Sequence, residues 1–238
     1  QCVIFPEDAD GTEYIYGPRL TSGSILKLSL AGEVVLEIPA NAIPEEHWKE
    51  HPRSGKKMLR LTDCAVADNG DIYVTDGYNS DLIHRFSAEG KNLATFGGKE
   101  APYLFQTLHQ ISIDNRFDPP RIVGASRTDG RVLHLSLDGE FLGEVATGLK
   151  LPAALDLHGD LLAVGEMLGR VSLLDKEGTI VKQLGINEVE DEVGTNKTEP
   201  GKWRFGGVNA PHGIAFNDEG DIYVTEWSGY GRVVKFDR

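Results

Sequence analysis

His109 and His212 open two separate apolar runs of this chain in the same way, in Thr107-Leu108-His109-Gln110-Ile111 and Ala210-Pro211-His212-Gly213-Ile214. Imidazoles that recur in register suggest one ligand held by several of them. A cation bound by neutral histidines with one open position is the arrangement zinc uses in catalysis. The plainer alternative is that each histidine caps a strand or bonds a loop. Other groups able to handle protons or anions are Asp76 and Tyr78 in Val74-Thr75-Asp76-Gly77-Tyr78-Asn79-Ser80, Arg127, Glu166, and Glu226 beside Trp227. Carboxylates near a cation ligate it, orient its histidines, or act as acid and base. Solvation alone is the bland reading of any single one. The candidate catalytic residues are therefore Tyr78, Arg127, Glu166 and Glu226, and the candidate metal ligands are His109 and His212.

A repeat positions these residues. Asn69-Gly70-Asp71-Ile72-Tyr73-Val74-Thr75-Asp76 returns as Glu219-Gly220-Asp221-Ile222-Tyr223-Val224-Thr225-Glu226. Each copy follows a short apolar strand and leads through a polar loop into another. The same frame fits three more segments, beginning at Cys2-Val3-Ile4-Phe5, Ile111-Ser112-Ile113 and Ala154-Leu155-Asp156-Leu157. Short β-rich runs bounded by glycine turns are strand and hairpin signals, and Gly32, Gly90, Gly139 and Gly178 share one place in the third hairpin. Four antiparallel strands in each repeat of about 40–50 residues is a propeller blade. The expected fold is all-β, one propeller domain over 1–238 with five recognisable four-stranded blades at 1–39, 61–98, 108–148, 151–185 and 210–238. Insertions at 40–60 and 186–209 carry Trp48 and Trp203.

In an up-and-down blade the start of the first strand and the loop between second and third strands share one end. His109, His212 and the candidate catalytic residues all fall there. The last blade stops after its third strand and the chain opens directly in a first strand, which leads us to expect six blades with an N-terminal blade absent from this chain. A closed five-bladed ring is the competing arrangement. If the residue preceding Gln1 were also histidine, alternate blades of six would supply three evenly spaced imidazoles.

Composition narrows the partners. With 24 Lys and Arg against 37 Asp and Glu, the net charge is -13, and a surface this acidic repels nucleic-acid phosphates. No apolar run approaches the ~20 residues of a membrane-spanning helix. Cys2 and Cys64 are the two cysteines; they stand at matching places on neighbouring first strands and are expected to be buried thiols rather than a disulfide. Asn196-Lys197-Thr198 fits a glycosylation sequon.

The repeat resembles the NHL repeat family along the whole chain. The order of features further resembles the lyase domain of peptidylglycine α-amidating enzymes, which cleaves peptidyl-α-hydroxyglycine to a peptide amide and glyoxylate. Asp76-Gly77-Tyr78 is similar to that family's Asp-Gly-Tyr motif, and Leu108-His109 and Pro211-His212 to two of its zinc motifs. The resemblance implies a six-bladed propeller, a zinc held by three histidines, Tyr78 as catalytic tyrosine, an arginine, and a structural calcium. The sequence departs from the family in three ways. The first zinc histidine would fall before Gln1, the catalytic arginine lies in the blade this chain lacks, and Ala210-Pro211-His212-Gly213 lacks the family's methionine and calcium-linked aspartate.

Two functions follow as expectations. One is a secreted, periplasmic or extracellular metal-dependent lyase acting on a small molecule or peptide at the channel mouth, with Tyr78 as general base. The other is a non-catalytic propeller that binds a protein, peptide or glycan through its loop face, with Trp48 and Trp203 in a lid or docking surface.

Overall fold

A computed structural model describes residues 11–51 and 53–238. The protein has an all-β propeller fold built from antiparallel up-and-down blades. Of the first blade the described strands are Tyr14–Pro18, Ile25–Ser29 and Val34–Ile38. The strand expected at Cys2-Val3-Ile4-Phe5, and Cys2 with it, lies outside the described residues. The second blade runs Asp63–Val66, Ile72–Thr75, Leu82–Phe86 and Asn92–Gly97, and the third Leu108–Asp114, Arg121–Ser126, Arg131–Ser136 and Phe141–Ala146. The fourth comprises Pro152–His158, Leu161–Glu166, Arg170–Leu174 and Ile180–Leu184, and the fifth Pro211–Phe216, Ile222–Glu226 and Val233–Phe236.

Burial explains the residue pattern. Every residue of Ile72–Thr75 is buried, and so are all but the first of Leu161–Glu166, whereas the outer strands Val34–Ile38 and Ile180–Leu184 are largely exposed. Strands covered on both faces read as continuous apolar runs, and half-covered ones alternate. The hairpin between third and fourth strands needs a left-handed residue. Gly32, Gly90, Gly139 and Gly178 supply it with φ of 84, 82, 92 and 85°, a region that glycine enters without a Cβ clash.

The chain divides into two compact units, one reaching to Ile113 and including Ser136–Phe141, the other made of Asp114–Leu135 and Leu142–Arg238. In the first, Tyr16, Ile25 and Ile38 pack with Leu59, Leu61, Cys64, Val74 and Phe86. In the second, Val123, Val132, Leu155, Leu162 and Val164 form one cluster, and Ala163, Val171, Val208, Ile222 and Val224 another. Each such aliphatic side chain contributes roughly 1.5–3 kcal/mol by leaving water.

The two insertions share a local device. Each has a 3-10 turn, Glu45–His47 or Pro200–Lys202, followed at once by a tryptophan. Trp48 Nε1 donates to the Ile43 carbonyl at 2.9 Å and Trp203 Nε1 to the Thr198 carbonyl at 3.1 Å. The first insertion also contains a small hairpin of Lys49–Glu50 and Lys57–Met58. Among the described residues no helix is long and apolar enough to cross a membrane.

Candidate functional site

Tyr78 and His109 meet. The phenol Oη lies 3.0 Å from His109 Nε2, with the rings edge to face at 5.6 Å between centroids. His109 is buried and Tyr78 is half-buried.

Three residues of the second blade set the backbone that carries His109. Asp81 Oδ1 accepts the Leu108 N–H at 2.6 Å, Thr62 Oγ1 lies 3.1 Å from the Leu108 carbonyl oxygen, and Asp63 Oδ2 accepts the Ile111 N–H at 3.1 Å. Thr62 occupies the repeat position that holds histidine elsewhere, and here its hydroxyl also accepts the Gly77 N–H at 3.3 Å. Gly77 and Leu108 are therefore drawn together through one hydroxyl, and Tyr78 and His109 are the residues that follow them.

Arg60 carried no signal in the sequence, yet it flanks the pair. Its guanidinium sits 5.2 Å from the centroid of the Tyr78 ring, and Nη1 donates to the Tyr78 carbonyl at 3.3 Å. A cation near a ring face is attracted by its quadrupole. Asn79 extends the connection, because its Nδ2 donates to the carbonyls of Lys49 and Met58 at 3.1 and 2.7 Å. The first insertion is thus tied to the residue after Tyr78.

The second unit contains Arg127 and His212. Burial above all holds the His212 imidazole down to about 4, the positive charge of Arg127 being a smaller contribution, so the ring is neutral near pH 7. Arg127 Nη1 also approaches Met167 Sδ at 3.9 Å.

Glu166 and Glu226 take structural partners. Glu166 is fully buried and accepts from Arg170 Nε at 2.8 Å, Ser172 Oγ at 2.5 Å and the Lys150 N–H. Glu226 accepts the Asn209 N–H and pairs with Arg232 Nη1 at 3.4 Å. Asp76 does the same in the second blade, accepting the Arg60 N–H at 2.6 Å and Ser80 Oγ at 2.7 Å. In three blades, then, the carboxylate ending the second strand holds the backbone entering the first, from a residue 16 or 17 positions earlier. Arg232 reinforces the fifth blade's entry by donating to the carbonyls of Arg204 and Gly207 at 2.9 and 2.8 Å.

Among the described residues no group of three or more His, Cys, Asp or Glu side chains is placed to hold a metal ion. The histidines are suitable donors by type, since a neutral imidazole is a metal ligand without losing a proton.

Residues 209–236 match the NHL repeat family. The chain is similar to peptidyl-alpha-hydroxyglycine alpha-amidating lyase 1 of Drosophila melanogaster, with 29% identity over 203 residues that cover 74% of this chain and 34% of that protein. It is also similar to probable peptidyl-alpha-hydroxyglycine alpha-amidating lyase pgal-1 of Caenorhabditis elegans, with 28% identity over 177 residues, 71% of this chain and 47% of that one. The chain therefore spans between a third and a half of the length of these curated relatives. In fold it is similar to the Cps50 (Swd1) beta-propeller domain of Myceliophteria thermophila, with a TM-score of 0.55 and 12% identity over 95% of this chain and 62% of that one.

Proposed function

We propose that the chain is part of a lyase that acts on N-acylated α-hydroxyglycines, peptides among them, releasing an amide and glyoxylate. The hydrogen bond between Tyr78 and His109 carries this reading, because it is built on the Asp-Gly-Tyr motif in a chain similar to amidating lyases. The reaction breaks the bond between Cα and the amide nitrogen and turns the α-hydroxyl into the aldehyde of glyoxylate. One proton leaves the hydroxyl oxygen and one is gained by the nitrogen, so the sum is unchanged. Tyr78 Oη is the group we assign to that transfer, with His109 orienting the phenol and Arg60 bracing its ring. A positioned acid–base group of this kind contributes typically 10²–10⁴-fold.

From the resemblance we assign His109 and His212 each the role of a zinc ligand, with calcium as a second, structural metal. Zinc when bound supplies a Lewis acid. The proposal also carries a secreted, periplasmic or extracellular location.

The test is glyoxylate release from N-benzoyl-α-hydroxyglycine by the purified protein. Release that falls at least a hundredfold in Tyr78→Phe supports the assignment. No release by the unaltered protein sinks the lyase reading, and leaves a propeller that binds a peptide, protein or glycan through its loops.

A further inference from the structure

His84 is wholly buried on Leu82–Phe86, the third strand of the second blade. Its Nδ1 is 2.9 Å from Thr95 Oγ1 on the adjoining fourth strand. Its Nε2 is shut off from solvent and has no hydrogen-bond partner among the described residues. An orphaned polar atom of this kind costs about 1–3 kcal/mol, and a leucine or phenylalanine would fill the place without that loss. The position therefore calls for something that satisfies the nitrogen.

A second imidazole stands beside it, delivered by a different element. His47, in the 3-10 turn of the first insertion, has its ring centroid 5.8 Å from that of His84 and is tilted by 53° to it. Its side chain remains 27% exposed. Two imidazole nitrogens sharing a cation at bonds of about 2.0–2.1 Å lie within about 4 Å of each other, and their centroids within roughly 6.5 Å. The observed spacing falls inside that limit. Thr95 stands where the outer-shell partner of a metal-bound histidine stands, fixing the ring through its other nitrogen. Burial, and secondarily His47, hold His84 down to about 3, so the ring is already deprotonated at neutral pH.

We propose that His47 and His84 form a binding site for a late first-row divalent cation such as Zn2+, with water completing the shell. The bound cation joins the insertion 40–60 to the second blade. The insertion is the segment that holds Asn79, next to Tyr78, so occupancy of the site stiffens the support of the phenol. The inference does not depend on the lyase reading or on a metal at His109 and His212.

The experiment uses the full chain carrying His109→Ala and His212→Ala, which removes those two imidazoles from consideration. Zn2+ is titrated while the imidazole nitrogens are followed by long-range proton–nitrogen NMR, and affinity is read by competition with a chromophoric chelator. The expected result is one equivalent bound, with Nε2 of His84 and a ring nitrogen of His47 shifting together. His47→Ala, at a partly exposed turn, should weaken binding at least tenfold, and Thr95→Val about 10–100-fold. Binding unchanged by His47→Ala, or no shift at His84 on adding Zn2+, overturns the proposal whatever the lyase assay shows.

Discussion

A Cβ placed on Gly77 would lie 2.0 Å from the carbonyl oxygen of Leu108. This approach brings the Asp-Gly-Tyr loop of the second blade against the strand that carries His109, and no side chain larger than hydrogen fits. Gly77→Ala should therefore push the loop away, lower stability by about 1–3 kcal/mol, and break the contact between Tyr78 and His109. Gly201→Ala is the control, since nothing lies within 4 Å of its Cβ position, and should change stability by no more than ~0.5 kcal/mol. Chemical denaturation gives the stabilities, and loss of the nuclear Overhauser effect between the two rings reports the contact. An unchanged Gly77→Ala protein would refute the packing argument.

Asp76 should make the protein less stable as pH rises. Burial lifts its carboxyl from 3.8 to about 6, against the opposing hydrogen bonds from Ser80 and the Arg60 N–H. The folded state then binds this proton more tightly than the unfolded state. Its contribution is favourable below the unfolded pKa and is lost as pH climbs from about 4 to about 6. Asp76→Asn removes the titration but keeps an oxygen to accept the Arg60 N–H. Urea unfolding at pH 4 and pH 7 should show the variant gaining on the unaltered protein as pH rises, by on the order of 2–3 kcal/mol. Parallel pH profiles would contradict the assignment.

Glu166 predicts a stability loss with a specific graded pattern. Glu166→Ala removes the acceptor of Arg170, Ser172 and the Lys150 N–H at once, and leaves a mostly buried arginine without that carboxylate. Breaking one side of such a pair costs about 3–5 kcal/mol. Glu166→Gln, which keeps one oxygen, should lose less. If denaturation midpoints are unaffected while ligand binding or turnover collapses, the residue belongs to the chemistry instead of the scaffold.

Removing Arg127 should raise the pKa of His212. The guanidinium charge opposes protonation of the imidazole, as a small contribution beside burial, so Arg127→Ala should shift the NMR titration of His212 slightly upward from about 4. The sign follows because deleting a nearby positive charge favours the imidazolium. A titration that does not move would separate the two residues.

Much of the fold is legible in the sequence because it depends on near neighbours. The continuous β-rich run Ile72-Tyr73-Val74-Thr75, the glycines of the third hairpins and the spacing of the runs are local properties, and the observed strands follow them closely. Repeat register singled out His109 as a candidate, and the resemblance of Asp76-Gly77-Tyr78 to a family motif singled out Tyr78. The same register could not distinguish roles at Glu166 and Glu226. A carboxylate that recurs at the end of the second strand looks the same whether it faces a ligand or accepts the N–H of a residue 16 or 17 positions back.

The amino-acid sequence by itself determined the blade repeat, the net charge of -13 and which residue types stand at the loop end of each blade. Tertiary structure alone decided which of them touch. Tyr78 and His109 are 31 residues apart, and Arg60 and His84 carry no pattern that marks them. Strand formation is set by steric and hydrophobic preferences within a few residues. Hydrogen-bond partners and burial are set by distant segments that the packed core brings together, and no local pattern encodes which ones those will be.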